Sequence, residues 1–362
     1  KLQRDLVKKN GFTWAKNIYW GNLKSPFKGH NPDWTAQAAL EFIDEHKDQP
    51  FYLHCCSTLL HGPNGEWFKS MMEKELVTGE GYLKQPLGLI DRESVWKRIQ
   101  KAGLTEAEVG YLWMDDSLGL ILDKLDALGI ADNTIVVFVS DHGSEKKGSL
   151  IKTRGTEIPC LIRWPKVIKP GSVSHGLLQN TDFVPTWFEL AGAKIPEEYH
   201  MDGKSLVPMF RNPSVSIREF IYAEQGAARA IKTDTLEYLS IRYTDEQIAM
   251  AQSKRSDRTY KTLLGLSSGI SRARYFHPDI FSADQLYDLS KDPNSQKNVA
   301  KDSSYAGQLK KMKAILTRKV KELGPRPYGD FVPGKGTSDA EASKKVLDQL
   351  AAYHAKEGKK KK

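Results

Sequence analysis

One stretch of the chain decides its fold class: Thr134 to Ser149, which reads TIVVFVSDHGSEKKGS. It begins with five apolar residues, Ile135–Val139, and such a run is typical of a strand buried on both faces of a parallel sheet. Asp141 and His142 follow at once, and Gly143 allows a sharp turn. Ligands of open α/β sheets bind beyond the carboxyl ends of the strands. The pattern predicts that Asp141 and His142 enter a binding site, with a helix-capping role for the carboxylate as the alternative.

The helix before this strand has clear start and stop signals. The sequence LTEAEVGYLWMDDSLGLILDKLDALGI has an apolar stripe at helical spacing. Thr105 and Glu108 form a capping-box pattern at its start, and Gly129 is a typical stop. Asp115 and Asp116 lie within the helix, where we expect surface or packing roles.

Further helices and apolar strands alternate on both sides. The segment Asn31–His46 predicts a helix capped by Asp33, followed by a buried strand at Phe51–Ser57. Ile158–Trp164 predicts another strand, and Asn180–Asp182 precedes a further helix. Alternation of this kind predicts an α/β fold with a mainly parallel sheet sandwiched by helices.

The pattern of apolar and polar residues changes after about Ser205. The segments EFIYAE, AARAIKT, LEYLSIRY and QLYDLS read as short, partly alternating strands separated by turns. They predict a smaller C-terminal antiparallel subdomain with a helix. We therefore expect an α/β domain over residues 1–210, an α+β subdomain over 211–330 and a basic, flexible tail over 331–362.

The net charge of +9 is confined to the C-terminal region. Residues 301–362 contain 16 Lys and Arg against 7 Asp and Glu, which leaves the first 300 residues neutral. We interpret the tail as a solvated extension, with an electrostatic role toward acidic polymers as the alternative. We expect no nucleic-acid partner. No membrane partner is expected either, because no run approaches the roughly 18 apolar residues of a span.

The three cysteines, Cys55, Cys56 and Cys160, are too few for a disulfide framework. All three lie in apolar runs, where a free cysteine acts as a small hydrophobic residue. We therefore expect them to be packed inside the protein, and we expect His54 to be a core residue with satisfied hydrogen bonds.

Several motifs occur in a fixed order along the chain. They are the helix and strand ending in VVFVSDHG, the strand IPCLIRWP, the helix QNTDFVPTWFELAG, the turn MDGKSLVPMF and the segment QLYDLSKDPNSQKNVA. Together they resemble the sulfatase family of the alkaline phosphatase superfamily, over roughly Trp34–Leu323. The resemblance implies an alkaline phosphatase-like fold and hydrolysis of sulfate esters of an aryl or carbohydrate substrate.

The resemblance also implies roles for individual residues. His61, in PFYLHCCSTLLHGPNGEW, matches a loop histidine that contacts the sulfate or protonates the leaving group; the alternative is a loop histidine bonded to backbone. Lys147 matches a lysine that contacts the sulfate. The loop is one residue longer than the family pattern, so Lys152 is an alternative, and either lysine could be a solvated charge. Asp141 and His142 match metal ligands, and the metal implied is calcium, although imidazole is a softer ligand than calcium prefers.

One family feature is missing from the 362 residues. Sulfatases attack sulfur with a formylglycine made from Cys or Ser in a C/S-x-P-S-R motif, and they bind the metal partly through an earlier Asp pair. Neither is present in this sequence. We therefore expect the chain to be the C-terminal portion of a sulfatase, with a missing N-terminal segment as its partner. The family also implies a periplasmic or secreted enzyme, although Lys1–Asn10 does not read as a secretory signal.

Two other functions stay open. One is a non-catalytic protein that binds anions or sulfated polymers. The other is a phosphodiesterase or phosphonate hydrolase of the same superfamily, in which an SDHG segment could look similar. The coding sequence upstream of Lys1 would separate these alternatives.

Overall fold

A computed structural model describes residues 2–19, 27–61, 65–73, 75–143, 150, 155–225, 228–242, 279 and 282–323. The chain divides into two compact units. The first comprises residues 1–135 and 164–166, and the second comprises residues 136–163 and 167–362. The sequence-based division at residues 210 and 330 stays a prediction, and the basic tail lies outside the described residues.

The first unit is built around helix α2 (Pro32–His46). Asn31 caps this helix, because its side chain accepts a hydrogen bond from the backbone N–H of Trp34. The prediction that Asp33 caps this helix is wrong. Asp33 is fully buried and accepts from the backbone N–H of Ile90 at 2.9 Å. Asn31 takes the capping role because it stands directly before the proline that opens the helix.

The predicted capping box is confirmed. The Glu108 carboxylate accepts from the backbone N–H of Thr105 at 2.8 Å, just before helix α5 (Val109–Ala127). This helix packs against α2. Near its start, a Cβ atom at Gly110 would lie 2.5 Å from the Trp67 ring. Glycine therefore lets the tryptophan approach the helix backbone, and that contact belongs to the unit's core.

The remaining α-helices and strands of this unit precede helix α2 or lie between α2 and α5 in the sequence. They are α1 (Leu2–Lys9), α3 (Gly65–Met72), β1 (Val77–Thr78), β2 (Gly81–Tyr82) and α4 (Arg92–Lys101). The buried side chains of the core are Leu59, Trp67, Met71, Ile90, Val95, Ile99, Val109 and Trp113.

The strand predicted at residues 51–57 does not form among the described residues. An isolated extended segment is not a strand without a neighbour to pair with, and none of the described strands lies alongside it. Cys55 and Cys56 are exposed, so the packing role predicted for them is wrong. His54 is also exposed. Its hydrogen bond with the Cys56 thiol raises the pKa of the imidazole and lowers the pKa of the thiol.

In the second unit, the apolar run forms β3 (Val136–Val139), which pairs antiparallel with β4 (Cys160–Arg163). The strands predicted at these positions are therefore present. These two strands are less buried than expected: Val139 is 39% exposed and Leu161 is 65% exposed. All strand pairs in the described part of the chain are antiparallel, and the predicted parallel pairings are not among them.

A buried carboxylate joins three segments of this unit. Asp182 precedes helix α6 (Phe183–Leu190) and has no exposed surface. It accepts from the backbone N–H groups of Gln179 at 2.7 Å and Lys204 at 2.8 Å. Its other partner is the guanidinium of Arg218. The charge is therefore fully compensated by donors from well-separated parts of the chain.

The motif TDFVPT, which contains Asp182, and the motif DGKSL, which contains Lys204, make further contacts with each other. The hydroxyl of Thr186 donates to the Asp182 carbonyl at 2.6 Å and accepts from the backbone N–H of Leu206 at 2.8 Å. A Cβ at Gly203 would lie only 2.0 Å from the carbonyl oxygen of Thr181. The motifs TDFVPT and DGKSL are thus bound to one another, which gives their residues a structural role.

The predicted antiparallel subdomain is confirmed. Four strands between Ile221 and Asp288 pair in the order in which they occur along the chain, with Ala230 opposite Leu239 and Tyr238 opposite Leu286. A terminal helix packs on one face of this sheet. The elements are α7 (Val207–Arg211), β5 (Ile221–Gln225), β6 (Ala228–Lys232), β7 (Leu236–Ile241), β8 (Asp284–Asp288) and α8 (Ala306–Glu322). Over the described ranges, no helix combines the length and apolar character needed to cross a membrane.

Candidate active site

Asp141 and His142 lie together in the turn that follows β3. The Nε2 atom of His142 is 3.4 Å from Oδ2 of Asp141, and the Asp141 side chain is 81% exposed. The hydroxyl of Ser140 donates to the His142 carbonyl at 2.9 Å. The backbone N–H of Gly143 donates to the Gly155 carbonyl at 3.0 Å. These bonds fix the backbone of the turn, while the carboxylate stays open to a ligand.

The tautomer of His142 follows from its second contact. Nδ1 lies 2.9 Å from the carbonyl oxygen of Gly143, which can only accept, so Nδ1 carries the hydrogen. In the neutral ring, Nε2 then presents a lone pair toward the Asp141 carboxylate. Two acceptors that face each other repel unless a proton or a cation lies beside them. The pair is therefore compatible with a bound cation, and equally with a proton shared between the two side chains.

The pair is not a complete metal site by itself. Within the described part of the chain, no group of three or more His, Cys, Asp or Glu side chains is arranged to hold a metal ion. Calcium takes about six to eight oxygen ligands. Calcium binding at Asp141 and His142 therefore stays a prediction that requires further ligands.

The predicted anion contacts cannot be placed. Lys147 and its alternative, Lys152, lie outside the described residues. His61 belongs to the first compact unit and Asp141 to the second. The expectation that His61 and Asp141 face one bound sulfate therefore stays a prediction.

His61 ends a short turn that carries it to the surface. Its backbone N–H donates to the carbonyl oxygen of Thr58 at 3.0 Å, and its own carbonyl accepts from Nε1 of Trp67 at 2.9 Å. Trp67 is buried in the core, whereas His61 is exposed. The backbone of His61 is thus anchored to the core and its imidazole is accessible, as a role in proton transfer requires.

The sequence analysis did not single out His30, which contacts the same turn. Nδ1 of His30 lies 2.9 Å from Oγ1 of Thr58. His30 lies outside the motifs that carry the resemblance, and 28 residues separate it from Thr58, so no spacing could have indicated the contact.

Comparison with known proteins decides the family. The family model described as Sulfatase matches residues 5–193, which is more than half of the chain. The chain belongs to the sulfatase family. A second model, for the C-terminal region of N-sulphoglucosamine sulphohydrolase, matches residues 142–247 of this sulfatase. The matched ranges include the candidate residues His61, Asp141 and His142.

Two curated relatives act on carbohydrates according to their names. An ulvan-active sulfatase of Formosa agariphila is 31% identical over 206 residues, covering 55% of this chain and 38% of the relative. An N-acetylglucosamine-6-O-sulfatase of Bacteroides thetaiotaomicron is 27% identical, covering 58% of this chain and 34% of the relative. The match with this sulfatase thus spans little more than a third of each relative.

Solved structures share the fold. One, in complex with k-i-k-neocarrahexaose, superposes with a TM-score of 0.55 at 17% identity, covering 98% of this chain and 68% of that one. Another, in complex with its substrate D-glucosamine-2-N,6-O-disulfate, has a TM-score of 0.51 at 19% identity, covering 82% and 70%. The predicted alkaline phosphatase-like fold class is confirmed.

Proposed function

We propose that the chain supplies one side of the active site of a sulfatase that hydrolyses a sulfate ester of a carbohydrate. The observation that carries the proposal is the turn after β3, in which Asp141 and His142 face each other within the sulfatase match. The open carboxylate is suited to a hard cation beside an anionic substrate, and the Nε2 lone pair of His142 is a softer second ligand.

Each candidate residue has a definite task in this reaction. Asp141 and His142 would hold a calcium ion, which would supply positive charge beside the sulfate. Lys147, or alternatively Lys152, contributes a positive charge to the same anion. His61 donates a proton to the leaving alcohol oxygen, because its imidazole is exposed at the end of an anchored turn.

The attacking group comes from outside these 362 residues. No C/S-x-P-S-R motif occurs in the sequence, so formylglycine cannot form within it. The exposed apolar side chains of Val139 and Leu161 support the same reading, because strands of this composition are ordinarily covered by further protein. We therefore propose that the chain acts together with a segment that carries the nucleophile.

The substrate class follows from the curated relatives. Their names specify ulvan and the 6-O-sulfate of N-acetylglucosamine, so we propose a sulfated polysaccharide or a fragment of one. We also propose a periplasmic or secreted enzyme, as the family resemblance implies.

The deciding experiment joins the chain to its upstream coding sequence. A C/S-x-P-S-R motif there supports the sulfatase, a Thr or unmodified Ser nucleophile supports phosphoryl transfer, and a start codon at this point supports the inert binding protein. In the joined enzyme, Asp141→Asn should lower sulfate release from an aryl sulfate by about a hundredfold or more. Asp115→Asn, on the exposed side of α5, is the matched control and should leave the rate unchanged.

The chain alone provides the complementary measurement. Without a nucleophile it should release no sulfate from an aryl sulfate ester. A rate that persists through purification and disappears in Asp141→Ala would overturn the proposal that the nucleophile lies elsewhere.

A further inference from the structure

The turn that carries His61 is held at two points of its backbone. The N–H of His61 donates to the Thr58 carbonyl, and the His61 carbonyl accepts from the buried Trp67 indole. Between these points, Leu59 is buried in the core. These contacts fix where the turn lies. The hydroxyl of Thr58 adds a third contact to the turn, through a side chain.

That hydroxyl lies 2.9 Å from Nδ1 of His30. His30 is itself anchored, because its backbone N–H donates to Oγ of Ser70 at 3.0 Å. Ser70 is buried on α3, and the residue after His30 is Asn31, the cap of α2. The backbone of His30 is therefore held beside α2 and α3, and from this position its imidazole contacts Thr58.

We propose that His30 is a positioning residue for His61: its imidazole holds the Thr58 hydroxyl and so fixes the turn that presents the His61 side chain. The catalytic meaning of this contact rests on the proposed function, since it assumes that His61 is the proton donor. The contact itself does not depend on that assumption, because it joins residues of a single compact unit.

The charges around His30 add a second effect. Burial lowers the pKa of His30, and the nearby His61 lowers it further, whereas Glu66 on α3 opposes the shift. Glu66 is also paired with Lys28, at 3.4 Å. His30 therefore stays neutral over a wider pH range than an ordinary histidine.

The test is NMR spectroscopy of the His61 ring in the complete 362-residue chain. In His30→Ala, the contact with the Thr58 hydroxyl is gone, so the His61 resonance should broaden or split. His30→Asn keeps a side-chain group able to bond Thr58. It should retain the single sharp His61 resonance of the unmodified chain.

A second pair of variants tests the hydroxyl. Thr58→Val keeps the shape of the side chain but removes the hydrogen bond, and it should broaden or split the His61 resonance. Thr58→Ser should restore it. The control is His46→Asn, because His46 also bonds through Nδ1, to the Phe42 carbonyl at 2.8 Å, in the last turn of α2. This control should leave the His61 resonance unchanged.

Thermal unfolding shows which variants are folded. If His30→Ala does not fold, Thr58→Val decides the matter. A His61 resonance that is identical in the unmodified chain, His30→Ala and Thr58→Val would overturn the positioning role. The NMR measurement needs no substrate, so its outcome is independent of the sulfatase assay that tests the proposed function.

Discussion

Nη2 of Arg92 lies 3.3 Å from Oδ2 of Asp33, a carboxylate with no exposed surface. The same guanidinium donates to Oδ1 of Asn31 at 3.1 Å and covers the Trp113 ring at 4.8 Å from its centre. Burial raises the pKa of Asp33, and the charge of Arg92 opposes that rise. Asp33 therefore depends on Arg92 to remain ionised inside the first unit.

Arg92→Met should destabilise the protein strongly, because it leaves a buried carboxylate without its partner. We expect a loss of about 3–5 kcal/mol in the free energy of unfolding near neutral pH, measured by urea denaturation. The raised pKa means that the folded state holds a proton on Asp33 more tightly than the unfolded state does. The loss should therefore shrink as the pH falls toward that pKa.

Lys97→Met is the matched control for this experiment. Lys97 pairs with Glu93 on the surface of α4, where both side chains are largely exposed. Such pairs contribute little, so the control should unfold almost as the unmodified chain does. An equal loss in both variants would show that the partner of Asp33 is not Arg92.

Asp284 should contribute to acid stability in the second unit. Burial alone would raise its pKa, but hydrogen bonds from Lys313 at 2.6 Å, Tyr238 at 2.7 Å and Arg242 at 2.9 Å outweigh burial and lower it. Its contribution is complete above the ordinary pKa of 3.8 and is lost as the pH falls through the lowered value. Asp284→Asn should therefore flatten the acid limb of stability against pH. The exposed Asp234→Asn should keep that limb unchanged.

Calcium should bind weakly to the chain alone. Asp141 and His142 provide two donors, whereas the ion requires about six to eight oxygen ligands. Calorimetric titration should show no saturation below millimolar calcium, and Asp141→Asn should remove whatever binding is present. Micromolar binding would mean that residues of this chain other than the pair complete the site.

The exposed ladder of β3 and β4 should promote self-association. Leu161 is 65% exposed in a strand whose apolar face is uncovered among the described residues. Leu161→Lys should lower the aggregated fraction measured by size-exclusion chromatography with light scattering. Val173→Lys is the control, because Val173 is 69% exposed but lies outside any strand. A monodisperse unmodified chain would contradict the expected association.

Local signals in the sequence predicted several elements correctly. The Thr105–Glu108 capping box, strand β3 and the antiparallel strands after about Ser205 depend on neighbouring residues, so their patterns are visible in the sequence. The proximity of Asp141 to His142 could also be expected, because the two residues follow the same strand.

Features that depend on distant partners could not be predicted. The apolar composition of residues 51–57 indicates a strand, but pairing requires a neighbour that no local pattern specifies. The contact between His30 and Thr58 joins two segments without a shared motif. Asn31 and Asp33 are both good capping residues. Pro32 directly after Asn31 favours Asn31 as the cap, whereas the burial of Asp33 against Arg92 depends on a distant partner.

The carboxylate of Asp182 has a consequence for proteolysis of the second unit. Residues 191–200 are exposed throughout, which makes them a natural place for a protease to cut. The two chain segments on either side of such a cut remain joined, because Asp182 and Thr186 bind the backbone of Lys204 and Leu206. A nicked molecule would therefore migrate as one particle under native conditions and come apart into two fragments only in denaturant.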